Sequence, residues 1–111
     1  MTGPGASAED RYAALVAEMV REPDVELSEK RGFGSSGLWT AGRLFAFLSH
    51  GRLVVKLPAA RVETLVAGGS GERWDPGHGR RMREWLALRP EATDDWKALA
   101  SEAKVFVRSG R

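Results

Sequence analysis

The chain has no cysteine, and only one tyrosine and two histidines, among its 111 residues. Without cysteine there is no disulfide, no thiolate nucleophile and no cysteine-ligated zinc. The absence fits a reducing compartment, so a cytoplasmic location is expected. No stretch approaches the ~20 apolar residues of a membrane span, so no membrane partner is expected. The opening MTGPGASAED lacks both the basic and the apolar run of a targeting signal. Internal repeats and low-complexity blocks are also missing. Nor does one sign of charge dominate. Seventeen Lys and Arg are offset by fifteen Asp and Glu, leaving a net charge of +2. Composition alone therefore does not demand a nucleic-acid partner.

What remains is enough for one folded domain. Hydrophobic residues make up 42%, and a chain of this size buries roughly two-thirds of its unfolded surface. Residues 1–6 are Gly, Pro and Ala around Met and Thr and read as a disordered N-terminus. Residues 7–108 read as a single domain, and 109–111 as a tail.

The region from Arg31 to Leu57 carries most of the strand character. Leu38-Trp39-Thr40, Arg43 to Leu48 and Arg52 to Leu57 are β-prone, and Ala41-Gly42 and His50-Gly51 suit two-residue turns. With such turns Trp39 faces Leu44, Leu38 faces Phe45, Phe47 faces Val54 and Ala46 faces Val55. Side chains alternate along each strand. One face then carries Trp39, Leu44, Ala46, Leu48, Leu53, Val55 and Leu57, and is core. The other carries Leu38, Phe45, Phe47, Val54 and Lys56. A sheet with one wet face alternates between apolar and polar residues. This second face is too apolar for that, so a helix, a loop or another chain must cover it at least partly.

Helices flank this region. Ser7 caps one that ends near Arg21, ahead of Pro23, with Tyr12, Leu15, Val16, Met19 and Val20 on one stripe. Pro58 opens a second, with Val62, Leu65 and Val66 inward and Gly68-Gly69 at its end. Thr93 caps a third, with Trp96, Leu99, Ala100, Ala103 and Phe106 on one side. Val25 to Lys30 reads as an edge strand, Glu72-Arg73-Trp74 as a brief one and Glu84 to Leu88 as the last. The expected class is α+β, an antiparallel sheet of about five to six strands with three helices.

Several motifs bear on chemistry. Gly32-Phe33-Gly34-Ser35-Ser36-Gly37 matches G-x-G-x-x-G, but it leads into a strand. A dinucleotide loop leads into a helix whose N-terminus holds the pyrophosphate. A plain glycine-rich turn fits better. His50 and His78 each sit beside glycine with no second ligand at helical spacing, so no metal is expected. Ser35 or Ser36 with His78 and Asp75 lacks the G-x-S-x-G elbow of a catalytic triad. Arg80, Arg81 and Arg83, with Arg73 nearby, form the most basic segment, which Trp74 and Trp85 bracket. It can hold phosphates and stack bases, anchor a protein partner, or simply be a solvated surface over core tryptophans. Lys56 among Phe45 and Phe47 either snorkels to water or holds an anion over an aromatic floor.

Together these pieces resemble the N-terminal domain of the TfoX/Sxy family. The resemblance rests on Arg31-Gly32-Phe33-Gly34-Ser35-Ser36-Gly37-Leu38, Gly42-Arg43-Leu44-Phe45-Ala46 and Val55-Lys56-Leu57-Pro58. It continues through Trp74-Asp75-Pro76-Gly77-His78-Gly79-Arg80-Arg81-Met82-Arg83-Glu84-Trp85 and the closing Ala103-Lys104-Val105-Phe106-Val107. It spans Ala8 to Val107. It implies a two-layer, secretion-chaperone-like α+β fold with no enzymatic activity and no cofactor. It also implies a role in regulating natural competence, exercised with a cyclic-AMP receptor transcription factor. The expectation is thus a regulatory or adaptor domain that binds a protein partner. Its candidate contact residues are Phe45, Phe47, Val54 and Lys56 on the second sheet face, and Arg80, Arg81, Arg83 and Trp85. Homodimerisation through the sheet face is one form of this. A nucleic-acid module using the Arg73–Arg83 segment is the alternative, and a small-ligand site at the glycine loop ranks last.

Overall fold

The computed structural model describes residues 7–28, 36–76, 79 and 82–109. Expectations for residues 1–6, for the glycine loop over Gly32–Ser35, and for His78, Arg80 and Arg81 lie outside the described residues.

Helix α1 spans Ala8–Met19. The Ser7 hydroxyl accepts from the Asp10 N–H at 3.0 Å, and Glu9 and Asp10 complement the positive end of the helix dipole. Tyr12, Leu15 and Met19 are its buried stripe, whereas Val20, expected to join them, follows the last turn and is exposed. Strands β1 (Glu26–Ser28), β2 (Gly37–Thr40), β3 (Arg43–Ser49) and β4 (Arg52–Lys56) follow. Then come α2 (Ala59–Ala67), β5 (Gly71–Arg73), β6 (Trp85–Leu88) and α3 (Trp96–Arg108). The strands form one six-stranded antiparallel sheet ordered β1-β2-β3-β4-β6-β5. With three helices this is the expected α+β class. After β4 the chain crosses over through α2 to the far edge at β5, then returns as β6 between them.

Both central turns have two residues at positive φ: Ala41 at 53° with Gly42 at 77°, and His50 at 52° with Gly51 at 75°. This is the type I′ geometry whose twist matches a hairpin. The β3–β4 register is the expected one. The β2–β3 register is not: Trp39 pairs with Leu44, but Leu38 pairs with Ala46, leaving Phe45 as an extra residue. Such a bulge flips every side chain on one side of it. Leu38 and Phe45, expected on the second face, join the main core, and Leu44 moves to the second face. Gly37 makes room there, since a Cβ on it would lie 2.5 Å from Leu44 Cδ1.

All three helices pack on one sheet face. Tyr12, Leu15 and Met19 of α1, Val62 and Leu65 of α2, and Trp96, Leu99, Ala100, Ala103 and Val107 of α3 close over Leu38, Phe45, Ala46, Leu48, Leu53, Val55, Leu86 and Leu88. Val107 takes the buried place expected of Phe106, which is only half-buried. The cap of α3 is Asp95, which accepts from the N–H groups of Lys97 and Ala98 at 2.9 and 3.4 Å. Thr93, the expected cap, lies too early in the chain. Helix α2 ends in a Schellman motif, with Ser70 N–H donating to the Leu65 carbonyl and Gly69 N–H to that of Val66. Gly69 supplies the required left-handed residue at φ 86°.

Polar ties join the elements. The Tyr12 hydroxyl donates to the Ser36 carbonyl, and burial pushes its pKa up. Lys104 of α3 reaches Glu22 and Asp24 in the segment after α1. Arg61 and Glu102 form a two-pronged pair between α2 and α3 at 3.0 and 3.1 Å. Partly exposed pairs of this kind contribute ~0–1 kcal/mol, so the core, not the ion pairs, holds the layers together.

Candidate functional site

No helix among the described residues covers the second sheet face, yet Phe47, Val54 and Ala87 are buried on it. Their cover comes from the β5–β6 connection. Trp74 directly follows β5 and Trp85 opens β6, so antiparallel pairing brings the two indoles together. The Trp74 N–H donates to the Trp85 carbonyl, and the Met82 N–H to the Trp74 carbonyl, both at 2.8 Å. The indoles and Phe47 form a mutual cluster. Ring centroids lie 5.0 Å apart for Phe47–Trp74, 5.6 Å for Phe47–Trp85 and 6.0 Å for Trp74–Trp85. Edge-on pairs of this type add ~0.5–1.5 kcal/mol each beyond the area they bury.

This arrangement corrects three of the expected contact residues. Phe45 is fully buried in the helix-side core because of the bulge. Phe47 and Val54 are 1% and 0% exposed beneath the tryptophans. A partner could reach them only by displacing Trp74 and Trp85. The apolar second face therefore needs no second copy of the chain to explain it.

Lys56 and Trp85 are half-buried. Lys56 Nζ lies 5.5 Å from the Trp85 ring centroid and 4.0 Å from Glu84 Oε1. Two adjoining depressions open beside them. One, of about 390 Å³, is lined by Lys56, Ala59, Met82, Arg83, Glu84 and Trp85. The other, of about 320 Å³, is lined by Ala59, Ala60, Glu63, Arg73 and Arg83. Ala59 and Arg83 belong to both. The Arg73 and Arg83 side chains have no hydrogen-bond or ion-pair partner among the described residues. Arg52 is different. Its guanidinium donates to the Leu88 and Ala87 carbonyls at 2.9 and 3.3 Å and lies 3.5 Å from Glu72. Arg80 and Arg81 fall between Trp74 and Arg83 in sequence, outside the described residues.

Sequence reasoning singled out Arg73, Arg83 and Trp85 but missed Ala59 and Met82. Ala59 had a signal. It follows Lys56-Leu57-Pro58 at the start of a helix, so it had to lie near the end of the Lys56 strand. Met82 had none.

The remaining candidates hold less chemistry. His50 is exposed in its turn, with Nδ1 3.2 Å from Ser49 Oγ. It lines a cleft of about 300 Å³ with Arg52, Glu72, Arg73, Trp74 and Asp75. No group of three or more His, Cys, Asp or Glu that could hold a metal occurs among the described residues. A shallow apolar groove of about 640 Å³ lies between the start of α2 and the end of α3, with Val105 and Phe106 on it. Its charged wall residues, Arg61 and Glu102, are paired with each other. No helix among the described residues is long and apolar enough to cross a membrane.

Comparison of the chain with protein-family models, with curated proteins and with solved structures returned no match.

Proposed function

We propose that this chain is a cytoplasmic regulatory or adaptor domain of the TfoX/Sxy N-terminal type, which acts by holding a protein partner and not by catalysis. The contact surface is the edge built from Lys56, Arg83, Trp85 and Arg73. One observation carries this reading: a half-buried indole, packed on the buried Phe47 ring, lies beside charges of both signs. Interfaces have this anatomy, with aromatic and arginine anchors at the centre and a polar rim. A site for the phosphate backbone would instead gather cations without carboxylates. Here Glu63 and Glu84 stand among the cations. The family resemblance suggests a transcription factor as the partner.

The test is affinity capture from cells of the source organism, comparing wild type with Arg83→Glu and Trp85→Ala, each checked for folding by circular dichroism. Captured proteins are then re-examined as purified pairs. A partner held by wild type and lost by both variants is expected. A partner held equally by all three would refute the assignment of this edge. Tight, salt-sensitive binding of random duplex DNA at low salt would move the domain to the nucleic-acid class.

A further inference from the structure

The two adjoining depressions differ in chemistry, and the difference specifies what fits them. The one beside Trp85 has apolar walls, Met82, Ala59 and the indole itself. Of its charges, Lys56 and Glu84 face each other at 4.0 Å, and Arg83 is shared with the other depression. The other is cationic. Among the described residues, two guanidiniums, Arg73 and Arg83, stand against one carboxylate, Glu63, so +2 and −1 leave +1. Neither guanidinium has a hydrogen-bond or ion-pair partner among the described residues. They come from different elements, Arg73 from the end of β5 and Arg83 from the turn before β6. A guanidinium presents a planar fork of donors that matches a carboxylate. Arg83 stands at the junction of the two depressions.

We infer that this composite groove receives an acidic peptide segment of the protein partner, with a carboxylate held between Arg73 and Arg83 and a neighbouring apolar side chain against Met82 and Trp85. The inference rests on the reading of this edge as a protein-binding surface, and it names the chemistry of the partner. A chain of phosphates fits less well. It would run past Glu63 and Glu84 and would leave the Met82–Trp85 compartment unfilled.

The experiment is two-dimensional NMR of the whole chain titrated with a blocked peptide, Glu-Glu-Leu-Glu. The comparison ligands are Gln-Gln-Leu-Gln and a short DNA duplex. Saturable shifts of the Ala59, Ala60, Arg73 and Arg83 amides and of the Trp85 indole N–H are expected with the acidic peptide. Charge-assisted hydrogen bonds make each arginine responsible for about tenfold in affinity. Arg73→Ala and Arg83→Ala should each weaken binding by that factor, and the glutamine peptide should bind at least as weakly. Arg89→Ala, a basic residue away from the groove, should bind like wild type. No shifts at these positions, or equal shifts with the glutamine peptide, would overturn the inference. So would the same shifts produced by duplex DNA at a lower concentration. If the captured partner is lost with Trp85→Ala yet kept by both arginine-to-alanine variants, only the acidic-peptide inference fails. If no variant affects capture, the reading of the edge fails with it.

Discussion

Replacing Gly71 with alanine tests the sheet edge that carries Arg73 and Trp74. A Cβ on Gly71 would fall well inside van der Waals reach of the Ala87 carbonyl oxygen, and 3.0 Å from both the Ala87 carbonyl carbon and Leu88 Cα. All three atoms belong to the backbone of β6, so no rotamer change relieves the clash. Strand β5 has to move away from β6 at the Gly71–Leu88 pair. Overpacking of this kind costs ~1–3 kcal/mol, and each ladder hydrogen bond given up adds ~1 kcal/mol. A loss of about 2–4 kcal/mol follows, and the melting temperature should fall by at least ~8 °C. Urea unfolding followed by circular dichroism and tryptophan emission reads both the loss and any change of slope. Gly68→Ala is the control. Its φ is −82°, and its Cβ would sit 3.4 Å from the nearest atom, the Thr64 carbonyl oxygen. Gly71→Ala unfolding within ~0.5 kcal/mol of Gly68→Ala would refute the close approach of β5 to β6.

Three further outcomes are expected. Ala41→Asn relieves a non-glycine residue held at φ 53°, a position Asn tolerates better than Ala. It should raise the melting temperature by several degrees, ~0.5–1 kcal/mol, and no gain would argue against the type I′ turn. Phe47→Ala removes the floor beneath both tryptophans. It should cost ~3–5 kcal/mol and shift tryptophan emission to the red, and unchanged emission in the folded variant would contradict the stacked cluster. The hydrogen bond from Lys104 holds the Asp24 carboxyl below its usual pKa. Its contribution is therefore full above the unfolded value of ~4 and is lost as pH falls through the lower folded value. Asp24→Asn should melt below wild type at neutral pH, with the gap closing in acid. A gap that is constant across pH would remove the ion pair from the account.

The hairpins were legible because their turns are written locally. Ala41-Gly42 and His50-Gly51 fix two-residue loops, and the β3–β4 register follows from them. The bulge at Phe45 was not, since nothing local distinguishes Phe45-Ala46-Phe47 from a regular alternation. It reflects competition for the helix-side core, where Phe45 and Ala46 both find places. The excess of apolar residues on the second face correctly required a cover. The identity of the cover depended on pairing β5 with β6, which sets Trp74 beside Trp85 across the intervening connection. The misplacement of the α3 cap at Thr93 has a simpler cause. Thr93, Asp94 and Asp95 are all acceptable cap residues, and only the packing of Trp96 into the core selects the last.

The most direct test of the proposed contact edge is site-specific photo-crosslinking in cells of the source organism. A photoreactive residue is placed in turn at Arg83, beside Trp85, and at Val105, which is 62% exposed on the opposite, helical layer. The account predicts a defined protein adduct from position 83 and none from position 105. An adduct from position 105 alone would place the working surface on the α2–α3 groove and contradict it.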